Sequence, residues 1–322
     1  MLLTRLLVAF VLLCLLVAVL TLYRAHQRER AAEAAFPPEG RMVEVAGLRV
    51  HAVVTGTGPD VVLIHGSSGN TRDLTFRLAG ALADRYRVIV FDRPGLGYSD
   101  RLHGDDGIVA QASTLSAAAQ ALGAERPIVM GQSYGGAVAL AWAVHFPDRL
   151  SALVPVSSPS QRWEGPLPLL YKVTSHPVGA ALVVPLITAW VPDGYVRDQV
   201  ESIFAPQSMP EGYAAHVGAP LTLRRVSMRA NAAQRATLKD EITALRPRYG
   251  EIDVPVEIVH GTADTTVPFG IHAEPLRDQV PGARLTPLPG IGHVPQNVAT
   301  EAVAAGIDRA HARVLADSDA LR

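Results

Sequence analysis

The sequence predicts an α/β fold: a mostly parallel central sheet with helices on both faces, a helical insertion, and one transmembrane helix ahead of it. Three observations predict it. Strand-like and helix-like patterns alternate along most of the chain. A glycine-framed serine, Gly131-Gln132-Ser133-Tyr134-Gly135, follows an apolar run and precedes a helical pattern. An apolar stretch opens the chain, from Met1 to Tyr23.

The chain order divides into five parts. Residues 1–23 form the expected transmembrane anchor, because Leu6 to Leu20 is uninterruptedly apolar. A helix rises ~1.5 Å per residue, so about 20 residues cross the ~30 Å hydrocarbon core. A cleaved signal peptide is the rival reading, since Ala32-Glu33-Ala34 has the A-x-A form. The long apolar run, and Arg24, Arg28 and Arg30 ahead of that site, favour an uncleaved anchor. The same arginines lean the globular part towards the cytoplasmic side of a bacterial inner membrane. The few lysines, Lys172 and Lys239 against many arginines, fit a GC-rich bacterial source. Residues 24–40, charged and alanine-rich, read as a short helical or irregular tether.

Residues 41–157 open the core. Met42 to Val45 and Leu48 to Val54 read as a hairpin turning at Ala46-Gly47. Val61 to Ile64 reads as a buried strand ending at His65-Gly66, and Thr71 to Ala83 as a helix. Arg87 to Phe91, Pro127 to Met130 and Leu150 to Val156 are further strands. Between them lie helices from Ile108 to Leu122, with Gly123 as stop, and from Ala137 to His145. The alternation fails over residues 158–235, where prolines punctuate apolar helical pieces such as Val178 to Trp190, and this segment reads as a helical insertion. Residues 236–322 resume the pattern, with strands at Val256 to Val259 and Arg284 to Leu288 and a closing helix from Val298.

Composition excludes several functions. The chain has 322 residues, 48% of them hydrophobic, and a net charge of −1 with no long basic block, which argues against a nucleic-acid partner. The one cysteine, Cys14, lies in the apolar run, so neither a disulfide framework nor a cysteine-based zinc site is available. No metal or organic cofactor is implied.

The chemistry-bearing residues lie at strand ends. A serine hydroxyl is a poor nucleophile at neutral pH; it needs a base, and the base needs an orienting acid. Alone, G-x-S-x-G matches many glycine-rich loops. At a strand-to-helix turn it marks a nucleophile, Ser133. The acid candidate is Asp264, just beyond the strand ending at Val259, where open parallel sheets place their sites. The base candidate is His293, in Gly290-Ile291-Gly292-His293, which completes the order Ser, Asp, His. His65 and His260 sit at strand ends beside glycines and suit a loop-shaping role. Two backbone N–H groups are expected to hold a developing oxyanion, those of Tyr134 and Ser67, each worth roughly 2.7–4 kcal/mol.

These residues together resemble the α/β-hydrolase fold family. His65-Gly66, Phe91 to Ser99, the Ser133 turn, Asp264 and Gly292-His293 carry the resemblance, which covers about Met42 to Val314. It implies that the insertion is a lid or cap, and that Asp92 and Arg93 shape a loop near the site. Epoxide hydrolases and haloalkane dehalogenases of this fold use an aspartate nucleophile, so serine at 133 disfavours their chemistry. The expected activity is that of a membrane-anchored serine esterase or lipase acting on a small lipophilic acyl compound. Carbon–carbon bond hydrolases, amidases and haloperoxidase-like enzymes keep the same triad and remain alternatives, as does a silent binding protein on this fold. Trp163, Tyr171, Trp190, Tyr195, Phe204 and Tyr213 of the insertion are candidates for an acyl pocket or for its own packing.

Overall fold

Eight short runs pair into one sheet in the computed structural model, which describes residues 1–320. They are β1 Arg41–Val45, β2 Leu48–Thr55, β3 Asp60–Ile64, β4 Arg87–Phe91, β5 Ile128–Gln132, β6 Ala152–Val156, β7 Glu257–Gly261 and β8 Arg284–Leu288. Their spatial order is β1-β2-β4-β3-β5-β6-β7-β8. The β1–β2 and β2–β4 pairs are antiparallel and the rest parallel. The hairpin turns at Ala46 and Gly47, both with positive φ, as a two-residue turn between twisted strands requires. β5, β6 and β7 are buried at every position, because parallel strands are covered on both faces.

The other regular elements are helices. They are α1 Leu2–Ala35, α2 Thr71–Thr75, α3 Leu78–Leu82, α4 Ile108–Ala121, α5 Tyr134–His145, α6 Leu169–Ser175 and α7 Pro177–Trp190. Then come α8 Asp193–Ser202, α9 Tyr213–His216, α10 Ala219–Thr222, α11 Arg225–Leu245, α12 Phe269–Gln279, α13 Pro295–Val298 and α14 Thr300–Ala320. On one face Val62, Ile64 and Val129 pack against Leu115 of α4, Trp142 of α5, Ile242 of α11 and Leu276 of α12. On the other Val61, Leu63 and Met130 pack against Leu74 of α2, Leu78 of α3 and Ile307 of α14. Adjacent strand residues thus point to opposite layers, as the pleat demands.

Two elements differ from the sequence expectation. The helix expected over residues 71–83 is broken into α2 and α3 at Phe76–Arg77, where Phe76 packs edge-on against Tyr213 with ring centroids 5.2 Å apart. Residues 225–235, which the sequence places in the helical insertion, are continuous with the following residues in one helix, α11 Arg225–Leu245, since no proline or glycine interrupts the chain between Pro220 and Leu245.

α1 is one helix of 34 residues, apolar and exposed to Leu20 and then docked. Thr21, Ala25 and Ala32 form its buried seam, at the helical spacing of one face. Glu29 takes a two-pronged bond from Arg225, at 2.8 and 2.7 Å. Glu33 accepts from Arg224 at 2.9 Å. Tyr98 reaches the carbonyl of Phe36, just beyond the helix, at 2.6 Å.

Candidate active site

Ser133 stands between the end of β5 and the first turn of α5 with φ +51° and ψ −122°, a conformation that costs on the order of 1–3 kcal/mol for a residue with a Cβ. The surrounding backbone holds it there. The Ser133 N–H donates to Val156 O at 2.9 Å, and Gly136 N–H donates to Ser133 O at 2.8 Å. The turn closes because Gly131 and Gly135 lack side chains. A Cβ on Gly131 would lie 2.2 Å from the Gly135 carbonyl, and one on Gly135 would lie 2.3 Å from that of Ile64. The second approach sets the start of α5 against the end of β3.

The structure brings the three sequence candidates into one hydrogen-bonded row. His293 Nε2 lies 3.0 Å from Ser133 Oγ. His293 Nδ1 lies 2.8 Å from Asp264 Oδ2. Each residue comes from a loop at the carboxyl end of a parallel strand, after β5, β7 and β8. All three are buried.

Asp264 is held as a carboxylate. Burial pushes its pKa up, but the hydrogen bonds from His260 and His293, the charge of His293 and the Val267 N–H outweigh that, leaving it well below the usual range. Its Oδ1 accepts from the N–H groups of Thr266 and Val267, both at 2.9 Å. An ionised carboxylate only accepts, so His293 Nδ1 donates to it. The Nε2 lone pair is thereby aimed at the Ser133 hydroxyl, the tautomer that a general base needs.

The loop after β3 is held from both sides. His65 is fully buried; its Nδ1 donates to Gly66 O at 2.9 Å and its Nε2 accepts from Arg93 N at 3.0 Å. The buried Arg93 guanidinium donates to the carbonyls of His65 and Gly66 at 3.0 and 3.1 Å. It also donates to Gln111 and Gln234 at 2.8 Å each and stacks 4.2 Å from the Tyr134 ring. Burial lowers its pKa to about 10, so it stays charged at neutral pH. From the insertion side, Asn231 accepts from Ser68 N and donates to Ser68 Oγ, both at 2.9 Å, while Thr222 donates to Ser68 O at 2.6 Å. The backbone N–H groups of Ser67 and Tyr134 have no acceptor among the described residues. Tyr134 opens α5, where no intrahelical partner exists and the helix dipole favours negative charge.

Several contributors were not singled out from the sequence. Gln132, inside the serine motif, donates to His293 O at 3.0 Å and fixes the histidine loop. Asn231 and Thr222 lie more than 150 residues from Ser68, so no local pattern joins them to it. His260 has the loop-shaping role expected of it, through Val267 O at 2.8 Å; what the sequence did not show is that its Nε2 also lies 3.3 Å from Asp264 Oδ2. Among the insertion aromatics, Phe204 and Tyr213 stack 4.8 Å apart in the interior, whereas Trp190 and Tyr195 are exposed.

Two buried imidazoles give a pH dependence of stability. Burial, with the Arg93 charge beside it, lowers His65 to about 4. Burial and the neighbouring His260 lower His272 to about 4, and its Nδ1 accepts from Ser160 N and Gln161 N. An unfolded histidine titrates near 6.5, so between about 4 and about 6.5 the unfolded chain holds the extra protons. The stabilisation is complete above about 6.5 and is lost as pH falls towards 4, by roughly 3 kcal/mol for each group. Urea unfolding in detergent is expected to show a clearly lower midpoint at pH 4.5 than at 7.5; equal midpoints would contradict the burial of neutral imidazoles.

Comparison with known proteins agrees with this fold. The family model described as alpha/beta hydrolase fold matches residues 59–189, from the start of β3 into α7. A pimeloyl-acyl-carrier-protein methyl ester esterase of Vibrio atlanticus is 30% identical over 232 residues, covering 68% of this chain and 81% of its own. An uncharacterized protein of Mycobacterium tuberculosis is 28% identical over 274 residues, 80% of this chain and 77% of the relative. The crystal structure of a membrane phospholipase A, a bacterial virulence factor, has the same fold at 21% identity and a TM-score of 0.61, covering 96% of this chain and 99% of that one. With 30% identity over 81% of an esterase's length, and the family model matched from β3 into α7, the chain belongs to the α/β-hydrolase fold family and is a hydrolase.

Proposed function

We propose that the protein is a membrane-anchored serine hydrolase that cleaves an apolar carboxylic ester through an acyl-enzyme. The observation that carries the reading is the row of hydrogen bonds from Ser133 through His293 to the ionised Asp264. Ser133 Oγ attacks the ester carbonyl as His293 Nε2 takes its proton. Asp264 keeps His293 oriented and stabilises the imidazolium. The N–H groups of Ser67 and Tyr134 receive the carbonyl oxygen as it becomes negative. His293 then protonates the departing alcohol. In the second half it activates a water, which releases the acid and restores Ser133.

The anchor reading rests on α1. The stretch from Leu2 to Tyr23, exposed except at Thr21, spans ~33 Å at ~1.5 Å per residue, enough for the ~30 Å hydrocarbon core. Cleavage at Ala32-Glu33-Ala34 would cut inside a docked helix, where Ala32 is buried and Glu33 holds Arg224, so retention is the better reading. On this view residues 1–23 are the anchor and residues 24–40 a docked connection. Residues 41–157 and 236–322 make up the catalytic core, and residues 158–235 its cap. Nearness to a bilayer supports a lipophilic substrate.

A panel of aryl esters of increasing acyl length, with matched anilides, tests the reaction class in the full-length protein. The reading expects ester turnover that rises from acetyl to medium chains and far exceeds anilide turnover. Folded protein that hydrolyses anilides or carbon–carbon substrates well, and all esters feebly, would overturn the ester assignment.

A further inference from the structure

The distribution of side chains around α7 is inverted for a helix facing water. Its buried residues are Gly179, Val184, Pro185, Thr188 and Ala189. Its large apolar residues point outward: Val178 is 58% exposed, Leu182 63%, Leu186 46% and Trp190 44%. They recur every four residues and so form one stripe along the helix. A water-facing stripe would be polar, and a contiguous exposed apolar patch marks a contact surface. α6 adds Leu169 and Leu170, both exposed. From Leu169 to Val191 the sequence holds no acidic residue and one lysine, Lys172.

The position of this stripe identifies what covers it. Trp190 Nε1 donates to Thr21 Oγ1 at 3.1 Å, and Arg24 Nε donates to Ala189 O at 2.8 Å. Thr21 is the first buried residue of α1, so the stripe begins where the exposed apolar surface of α1 ends. The Arg24 guanidinium lies 4.6 Å from the Trp190 ring centre. Tryptophan beside arginine at the end of an apolar span is the composition of a membrane–water boundary. α7 has 14 residues, ~21 Å, too short to cross, and it meets α6 at 115°, so the pair is not one straight span. An apolar helix too short to cross a bilayer is accommodated in the interface plane.

We propose that the exposed face of α7, with the start of α6, is a second bilayer contact: it lies in the headgroup–acyl boundary beside α1 and holds the insertion against the lipid surface. The proposal rests on the reading of α1 as a membrane anchor. It makes the surface of the insertion, and not only the anchor, the part of the enzyme that meets an ester still resident in the bilayer.

Single-cysteine proteins test it in the Cys14→Ser background. Leu182→Cys, Phe10→Cys and the exposed Asp148→Cys are each labelled with a nitrobenzoxadiazole dye. The full-length proteins are reconstituted in phosphatidylcholine–phosphatidylglycerol vesicles containing spin-labelled lipid. The proposal expects strong quenching at 10 and 182 and none at 148. Quenching at 10 with a water-like signal at 182 would overturn the second contact and leave the anchor standing. A blue-shifted but unquenched dye at 182 would mean that protein, such as a second copy, covers the stripe, and would also overturn it. No quenching at 10 would remove the anchor reading and the proposal together. As a second readout, the double variant Leu182→Asp/Leu186→Asp is expected to lose at least tenfold in rate on a vesicle-embedded ester and to keep its rate on a short soluble one. Equal rates on both would contradict the proposal.

Discussion

Ser133→Ala is expected to lower ester hydrolysis by on the order of 10⁶-fold in kcat while leaving the fold intact. The two halves of this expectation have separate causes. Among the described residues the only side-chain hydrogen bond of Ser133 is to His293, so its loss removes the nucleophile and little else. The strained turn is held by backbone bonds to Val156 and from Gly136, which alanine keeps. Alanine also has the Cβ that serine has, so the cost of φ +51° does not change. Thermal unfolding followed by circular dichroism is expected to match the parent within a few degrees. Undiminished turnover in the folded variant would remove Ser133 from the chemistry.

Asp264→Asn carries the next largest expected effect, about 10⁴-fold in kcat. The geometry says which way the new amide turns. The Thr266 and Val267 N–H groups need an acceptor at the Oδ1 position, so the amide oxygen takes it. The NH₂ group then faces His293 Nδ1, which must accept. The ring proton moves to Nε2 and points at Ser133, where a lone pair is required. The same NH₂ stands at the place of Oδ2, 3.3 Å from His260 Nε2, which already donates to Val267 O, so two donors meet. A modest loss of stability accompanies the loss of rate. A kcat for ester hydrolysis within tenfold of the parent would show that His293 does not depend on this carboxylate.

The parts of the molecule readable in the sequence are those whose signal is local. Pro127 to Met130 is continuously apolar because β5 is covered on both faces, and the glycine-framed serine directly after it, ahead of a helical pattern, reads as a tight turn. Asp264 and His293 were legible because both follow short strand patterns and complete one chain order. The supports of these residues were not legible. Gln132 looks like a spacer in a motif, yet it fixes the carbonyl of His293 across 161 residues of chain. For Arg93 the resemblance implies a loop-shaping role, but its means show only in the structure: it is buried, pairs with no carboxylate among the described residues, and clamps two carbonyls beside the site. In the sequence, residues 24–40, charged and alanine-rich, read as a short helical or irregular tether. In the structure Glu29 and Glu33 are the groups that dock α1 on Arg225 and Arg224. An ion pair between distant segments leaves no periodicity, and that is why it escapes a sequence reading.

This docking has a consequence for the site. Arg224 and Arg225 precede and open α11, the helix that carries Asn231 to Ser68 and Gln234 to Arg93. The loop expected to supply one oxyanion donor is therefore tied to the same helix that receives α1. α1, the insertion and the loop after β3 are thus joined through a few side chains.

Mass spectrometry of the folded, full-length protein after reaction with a fluorophosphonate tests the central claim most directly. The account predicts one covalent adduct, mapped to the peptide carrying Ser133, with matching loss of ester hydrolysis, and no adduct in His293→Ala. Folded protein that turns over ester and yet carries no adduct on Ser133, or that carries it on another serine, would contradict the account.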